Sequence, residues 1–165
     1  MNKTKILFIL NEASRINSFS YSGIIAAKNK GWDFHIAGKW SYPTKEAREA
    51  DEQKYGIKIH HVDFIRSPYS PENKRAYQQL KALVEKEKFD IIHCNTPIGG
   101  LLGRLVGKKC KVKKVIYQVH GFHFYKGAPL LNKLVYYPIE KLLARSTDRG
   151  VTVDYIKLFF FNKCL

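Results

Sequence analysis

Two histidines lie three positions apart around a glycine in His120-Gly121-Phe122-His123, directly after the apolar run 115–119. A neutral imidazole can donate or accept one hydrogen bond to a sugar hydroxyl, and it titrates near neutrality. A glycine lets the main chain approach a ligand closely. The plain alternative is a core histidine beside an ordinary loop glycine, and the residues alone leave both readings open. The His120/His123 spacing could invite a metal, but no carboxylate or thiolate stands near to complete a ligand set, so none is expected. A second candidate is Asn95-Thr96-Pro97. Thr96 as N-cap and Pro97 as first helical residue start a helix well, and that helix's free amides and positive end could hold a phosphate or sugar. Capping explains Thr96 and Pro97 without a ligand; Asn95 is less easily explained that way. A third candidate is the polar loop after the first apolar run. It offers Ser14 and Arg15, with Ser18, Ser20 and Ser22, as weaker anion contacts. It has no glycine before Gly23, which argues against the G-x-G-x-x-G cradle of an NAD or FAD site.

These residues need a scaffold, and the hydrophobic pattern supplies one. Apolar strand-like runs fall at 6–10, 33–38, 57–62, 90–94, 115–119 and 150–154. Helix-like segments lie between them at 19–30, 44–55, 70–88, 97–107 and 129–145. Connections of that length cannot be hairpins, so the reading is an α/β, doubly wound parallel sheet with strand order 3-2-1-4-5-6. Such a sheet places ligands at the carboxyl ends of its strands, where all three candidates fall. The predicted buried stripes are Ala76, Tyr77, Leu80, Leu83 and Val84 on one helix and Ile98, Leu101, Leu102, Leu105 and Val106 on the next. On the last they are Leu131, Leu134, Val135, Pro138 and Leu142, with Pro138 kinking the helix.

Composition narrows the class. The chain has 165 residues, enough for one domain with a real core, and 45% of them are hydrophobic, which sets disorder aside. Lys and Arg number 29 against 14 acids, a net charge of +15, so an anionic partner is expected. The basic residues gather at 74–88 and 108–114. A solvated helix face is the ordinary reading and an anionic membrane surface the alternative. No aromatics interleave with them as a stacking platform, so nucleic acid is not expected. Cys94, Cys110 and Cys164 lack paired or metal-ligand spacing, which fits a reducing cytoplasm. The basic start and short apolar run of MNKTKILFIL read as a first strand rather than a signal peptide, and no apolar run approaches a spanning helix.

FDIIHCNTPIGGLLGRL, residues 89–105, and VIYQVHGFHFYKGAPLLNKLVYYPIEKLLARSTD, residues 115–148, resemble the N-terminal domain of family 4 glycosyltransferases, most closely the bacterial enzymes of capsular and exopolysaccharide assembly. Residues 1–88 fit the order of elements and resemble the family only loosely. The resemblance implies a two-domain GT-B enzyme of which this is the Rossmann-like acceptor-side half, residues 1–148. It implies that His120 reaches the donor sugar near its reacting carbon, with Asn95, Thr96, Gly121, Phe122 and His123 around the same cleft. It implies a retaining transfer from a nucleotide-sugar co-substrate, with no other cofactor, to a sugar or lipid-linked sugar acceptor, at the cytoplasmic face of the membrane. The donor-binding motifs have no counterpart here, so the half is expected to be inactive without a donor-binding domain or chain. Residues 149–165 do not resemble the family's continuation and read as an atypical apolar tail, from truncation or a frame shift. The rival readings are a non-catalytic binding module that pairs with a separate chain and, more weakly, a nucleotide-sugar epimerase of similar architecture.

Overall fold

The computed structural model describes residues 3–67, 69–119, 127 and 129–152. Eleven elements alternate: β1 (Lys5–Ala13), α1 (Ser18–Asn29), β2 (Asp33–Trp40), α2 (Lys45–Tyr55), β3 (Lys58–His61), α3 (Asn73–Glu87), β4 (Ile91–Asn95), α4 (Pro97–Lys109), β5 (Lys114–Val119), α5 (Leu130–Ala144) and β6 (Arg149–Thr152). The six strands form one sheet in the order β3-β2-β1-β4-β5-β6. Every pairing is parallel. This is the doubly wound order expected from the alternation, because right-handed crossovers place the helices that follow the reversal beside β1 on the face opposite to α1.

The sheet's two faces make two cores. Leu7, Ile9, Ile92, Cys94, Val115 and Tyr117 face α3 and α4 on one side. Ile6, Phe8, Phe34, Ile36 and Ile59 face α1 on the other. Adjacent strand residues point to opposite faces, so both faces of the continuous apolar runs are buried.

Local chemistry sets several boundaries. Asn17 and Ser20 close a reciprocal capping box at the start of α1. Thr44 caps α2 by accepting the Ala47 amide at 3.2 Å, and Gly56 ends that helix at φ 65°. Ser70 and Pro71, expected to open α3, instead form a turn whose carbonyls receive the amides of Asn73 and Lys74. Asn73 is itself buried and ties the preceding loop down through Ile65 and Ser67.

Helix α4 lies unusually close to the sheet. A Cβ on Gly100 would fall 2.2 Å from the Tyr117 ring, on Gly103 2.9 Å from Cys94 Cβ, and on Gly107 2.6 Å from Val115. The glycines are therefore a packing requirement, and they bring the helix start close to the ends of β1 and β4. On α3 and α4 the predicted stripes are largely buried, except Leu105, which is 39% exposed. On α5 the stripe reading is overturned. Leu131, Leu134 and Leu142 are 69%, 64% and 65% exposed, and Pro138 is exposed with them. The face of α5 that meets the domain carries Leu143, Ala144 and Glu140.

Candidate functional site

The carboxyl edge between β1 and β4 is where the strand order reverses, and Asn95 and Thr96 stand there. Asn95 is the last residue of β4, one position later than the expected strand end, and it is fully buried. Its Nδ2 donates to the Ile9 carbonyl at 3.3 Å and the His93 carbonyl at 3.5 Å, tying β4 to β1. Its Oδ1 is buried with no hydrogen-bond partner. A buried acceptor left open costs about 1–3 kcal/mol, so this oxygen calls for a partner.

Thr96 occupies the N-cap position of α4, as expected, but its side chain does not cap the helix. Its hydroxyl donates to the Asn95 carbonyl instead. Its backbone sits at φ 65°, ψ 158°, a region essentially restricted to glycine and costing a β-branched residue about 1–3 kcal/mol. Gly99 makes room for this arrangement, since a Cβ there would lie 2.9 Å from Thr96 Oγ1. The first intrahelical bond runs from the Gly100 amide to the Thr96 carbonyl at 2.8 Å. The amides of Ile98 and Gly99 precede it and lie outside the ladder, and Pro97 has none to offer. The start of α4 thus joins a strained backbone, an open buried carbonyl oxygen and helix-terminal donors.

The neighbouring helix start differs. Ser20, one of the loop's suggested anion contacts, is fully buried within the capping box, and Ser22 donates to the Phe19 carbonyl. These serines serve α1 itself. Ser14 and Arg15 are exposed in the bend that follows β1, on the same edge as Asn95. His120, Gly121, Phe122 and His123 lie outside the described residues. Val119, which precedes them, ends β5 next to β4.

Arg104 was absent from the sequence reading, which treats arginine as a surface residue. It is 0% exposed. Its Nε donates to the Gly100 carbonyl at 2.8 Å, its two terminal nitrogens grip Glu140 at 2.7 and 3.0 Å, and its guanidinium lies 3.9 Å over the Tyr117 ring. This forked ion pair docks α5 onto α4. One signal was available. Arg104 sits four residues after Gly100 and three before Gly107, on the small-residue face of an apolar helix. Cys94, beside it, is a buried thiol pushed up to about 12 by desolvation, so it stays protonated and unreactive. Among the described residues no group of three His, Cys, Asp or Glu side chains could hold a metal, and no helix is long and apolar enough to cross a membrane.

The family described as glycosyl transferase 4-like matches residues 5–152. The chain belongs to that family. It is 38% identical over 160 residues to EpsD of Bacillus subtilis (strain 168), which bears a glycosyltransferase name; the match covers 93% of this chain and 39% of that protein. It is 39% identical over 70 residues to the UDP-Gal:alpha-D-GlcNAc-diphosphoundecaprenol alpha-1,3-galactosyltransferase of Escherichia coli, covering 42% of this chain and 18% of that one. Among solved structures, a protein of Listeria monocytogenes named for UDP-N-acetylglucosamine 2-epimerase superposes with a TM-score of 0.65 at 12% identity, over 99% of this chain and 43% of that one. At that identity the likeness is one of fold alone. The chain spans about two-fifths of the length of EpsD and of the Listeria protein.

Proposed function

We propose that this domain is the acceptor-side half of a retaining glycosyltransferase, one that moves a sugar from a nucleotide-sugar to a lipid-linked polysaccharide precursor. The observation that carries the reading is the Asn95–Thr96 junction. A threonine held in a glycine-only conformation beside a buried, open carbonyl oxygen, at the reversal point of the sheet, is a strained and unsatisfied arrangement in a domain of this family. Strain of that kind persists where the surroundings impose it and a ligand uses it. In this reading Asn95 Oδ1 accepts a hydrogen bond from a sugar hydroxyl, and the α4 start faces the negative charge of the leaving diphosphate. His120 follows Val119 in the chain and orients the donor sugar while positive charge develops at its anomeric carbon. Ser14, Arg15, Gly121, Phe122 and His123 complete the cleft. In this reading the donor nucleotide is bound by a second domain, without which residues 1–165 transfer no sugar.

The lipid-linked acceptor is supported by the name of the Escherichia coli relative. Peripheral attachment to the inner face of the cell membrane is supported by the basic residues of 74–88 and 108–114 and by the exposed leucines of α5, a helix that carries Lys133 and Lys141 and is followed by Arg145. An apolar stripe flanked by basic residues suits an anionic bilayer. The test supplies the donor half as a fusion or partner chain and follows sugar transfer onto a diphosphoprenyl-linked sugar. His120→Ala should lower kcat by about 10²-fold with little change in acceptor KM. Full turnover by His120→Ala would remove His120 from the chemistry, and absence of transfer from any common UDP-sugar or GDP-sugar would remove the transferase reading.

A further inference from the structure

The same carboxyl edge carries a second feature, on the β2 and β3 side of β1. A cavity of about 290 Å³ opens over the ends of β2 and β3, lined by Trp40, Tyr42, Thr44, Lys45, Arg48 and His61. Its aromatic wall is fixed. The Trp40 and Tyr42 rings stack with centroids 5.5 Å apart and planes 29° from parallel. The Trp40 indole donates to the His60 carbonyl at 3.1 Å, and the Tyr42 hydroxyl donates to Asp51 at 2.7 Å. Burial and that bond raise the Tyr42 pKa well above its ordinary value, so the hydroxyl remains a donor. His61 accepts the Trp40 amide at Nδ1, which leaves its Nε2–H to donate to Asp63 at 3.0 Å.

The remaining polar groups are likewise engaged, with one exception. Thr44 caps α2, Glu46 bonds its own amide and Thr44, and Lys45 pairs with Glu49 at 3.4 Å. The start of α2 is therefore closed and is no anion site. Arg48 differs. Its Nε is buried and without a hydrogen-bond partner, and none of the ion pairs among the described residues includes it. A rigid aromatic wall beside one unsatisfied, buried donor atom is the make-up of a small-molecule pocket. The charges along α2 nearly cancel: Lys45, Arg48 and Lys54 stand against Glu46, Glu49, Asp51 and Glu52. The pocket therefore favours a neutral, hydroxylated ring over a phosphate.

Position gives the ligand its size. Trp40 pairs with Ala13 of β1, and β1 pairs with β4, whose last residue is Asn95. Strands β2 and β4 lie two spacings apart, about 10 Å, and Trp40 stands two to three residues further along the sheet than Asn95, which makes the separation about 12–14 Å, longer than one hexose ring. We propose that the Trp40–Tyr42–Arg48 pocket is a subsite for a neutral pyranose of the acceptor, one unit beyond the sugar at Asn95, so that the acceptor is at least a disaccharide. This rests on the acceptor-side reading of the domain and names the acceptor's size.

The test is a ¹H–¹⁵N NMR titration of the whole chain with cellobiose, lactose and N,N′-diacetylchitobiose, and separately with glucose, galactose and inorganic pyrophosphate. At least one disaccharide should shift both the Trp40 indole signal and the amides of residues 95–99. It should bind at least ~5-fold more tightly than its monosaccharide, the scale of one added hydrogen bond. Arg48→Ala should weaken it by a similar factor, while Lys54→Ala, on α2 outside the pocket lining, should leave it unchanged; thermal melts of both variants report whether the fold survives. Pyrophosphate shifting residues 40–48 more strongly than any disaccharide would overturn the proposal in favour of an anion site. Shifts confined to residues 95–99, or none at residues 40–48, would overturn it outright. Binding is read here without transfer. In the enzyme completed with a donor half, Arg48→Ala should raise KM for a disaccharide acceptor at unchanged kcat, so loss of the subsite and loss of the transferase reading give different results.

Discussion

Acid should loosen this fold through a stacked pair of histidines, one buried and one half-buried, before it reaches the carboxylates. His35 is fully buried in β2 and His60 lies beside it in β3. The rings stack with centroids 5.0 Å apart, His35 Nδ1 is 2.9 Å from His60 Nε2, and His35 Nε2 is 3.2 Å from Asp33. Since His35 donates to Asp33 through Nε2–H, its Nδ1 is bare and accepts from His60 Nε2–H. Both rings are then neutral and satisfied. Burial lowers the pKa of each, with Asp33 opposing the effect at His35 and the neighbouring His35 adding to it at His60, which falls from 6.5 to about 4. A depressed histidine means that the unfolded chain binds the proton more readily, so stability is full above pH 6.5 and is lost as pH falls toward the folded value. For His60 alone the whole shift corresponds to a loss of about 2.5 kcal/mol between pH 7.5 and 4.5. The ring is partly exposed, and solvent screening reduces this to about 1–2 kcal/mol. The depressed acids Asp63, Glu87 and Asp90 act in the same direction, but their contribution begins to fall only as pH reaches the ordinary carboxylate range and is lost on the way down to their lower folded values. The window from about 6.5 to 4.5 therefore belongs to the histidines. The assay is the urea midpoint at half-unit pH steps, followed by circular dichroism. His60→Gln can keep the donor to His35 and should remove about half of the acid loss while staying within about 1 kcal/mol of the parent at pH 7.5. A parent whose stability is flat from pH 7.5 to 4.5, or a variant with the parent's slope, would refute the reasoning.

Four further outcomes are expected. Thr96→Gly should raise stability by about 1 kcal/mol, the relief of a strained φ less the added freedom of the unfolded chain, measured as a urea midpoint; a drop would mean that the backbone there is unstrained. Arg104→Ala should cost about 3–5 kcal/mol by leaving Glu140 unpaired, and Glu140→Gln less than that, read from thermal melts; equal small losses would place the pair among surface ion pairs. Gly100→Ala should destabilise by about 1–3 kcal/mol because its new methyl meets the Tyr117 ring, and combining it with Tyr117→Leu should recover part of the loss. The double variant Leu131→Asn, Leu134→Asn should cut partition onto anionic vesicles by at least ~10-fold, since each leucine contributes about 1.5–3 kcal/mol when fully buried. Its melting temperature should not change, and undiminished partition would move the membrane contact elsewhere.

The chain's own residues determined the sheet. Continuous apolar runs such as Ile6–Leu10 and the helix-period stripe of α3 follow from side-chain periodicities of 2 and 3.6, which are local properties, and the length and hand of the crossovers then fix the strand order. The position of Asn95 and Thr96 at a carboxyl edge follows from the same pattern. Their state does not. Whether Thr96 caps α4 or is held in a glycine-only conformation depends on how closely α4 is drawn onto the sheet, and that depends on Gly100, Gly103 and Gly107 meeting Tyr117, Cys94 and Val115. Arg104 is buried only because Glu140, 36 residues on, arrives opposite it and Tyr117 lies beneath it. The leucines of α5 read as core by period, but a helix docked through Glu140, Leu143 and Ala144 turns its leucine stripe to solvent. The cavity at Trp40, Tyr42, Arg48 and His61 gathers residues from two strand ends and a helix start that share no sequence pattern. Period and propensity act within an element, whereas desolvation, strain and pairing arise between elements and exist only once the tertiary structure has brought them together.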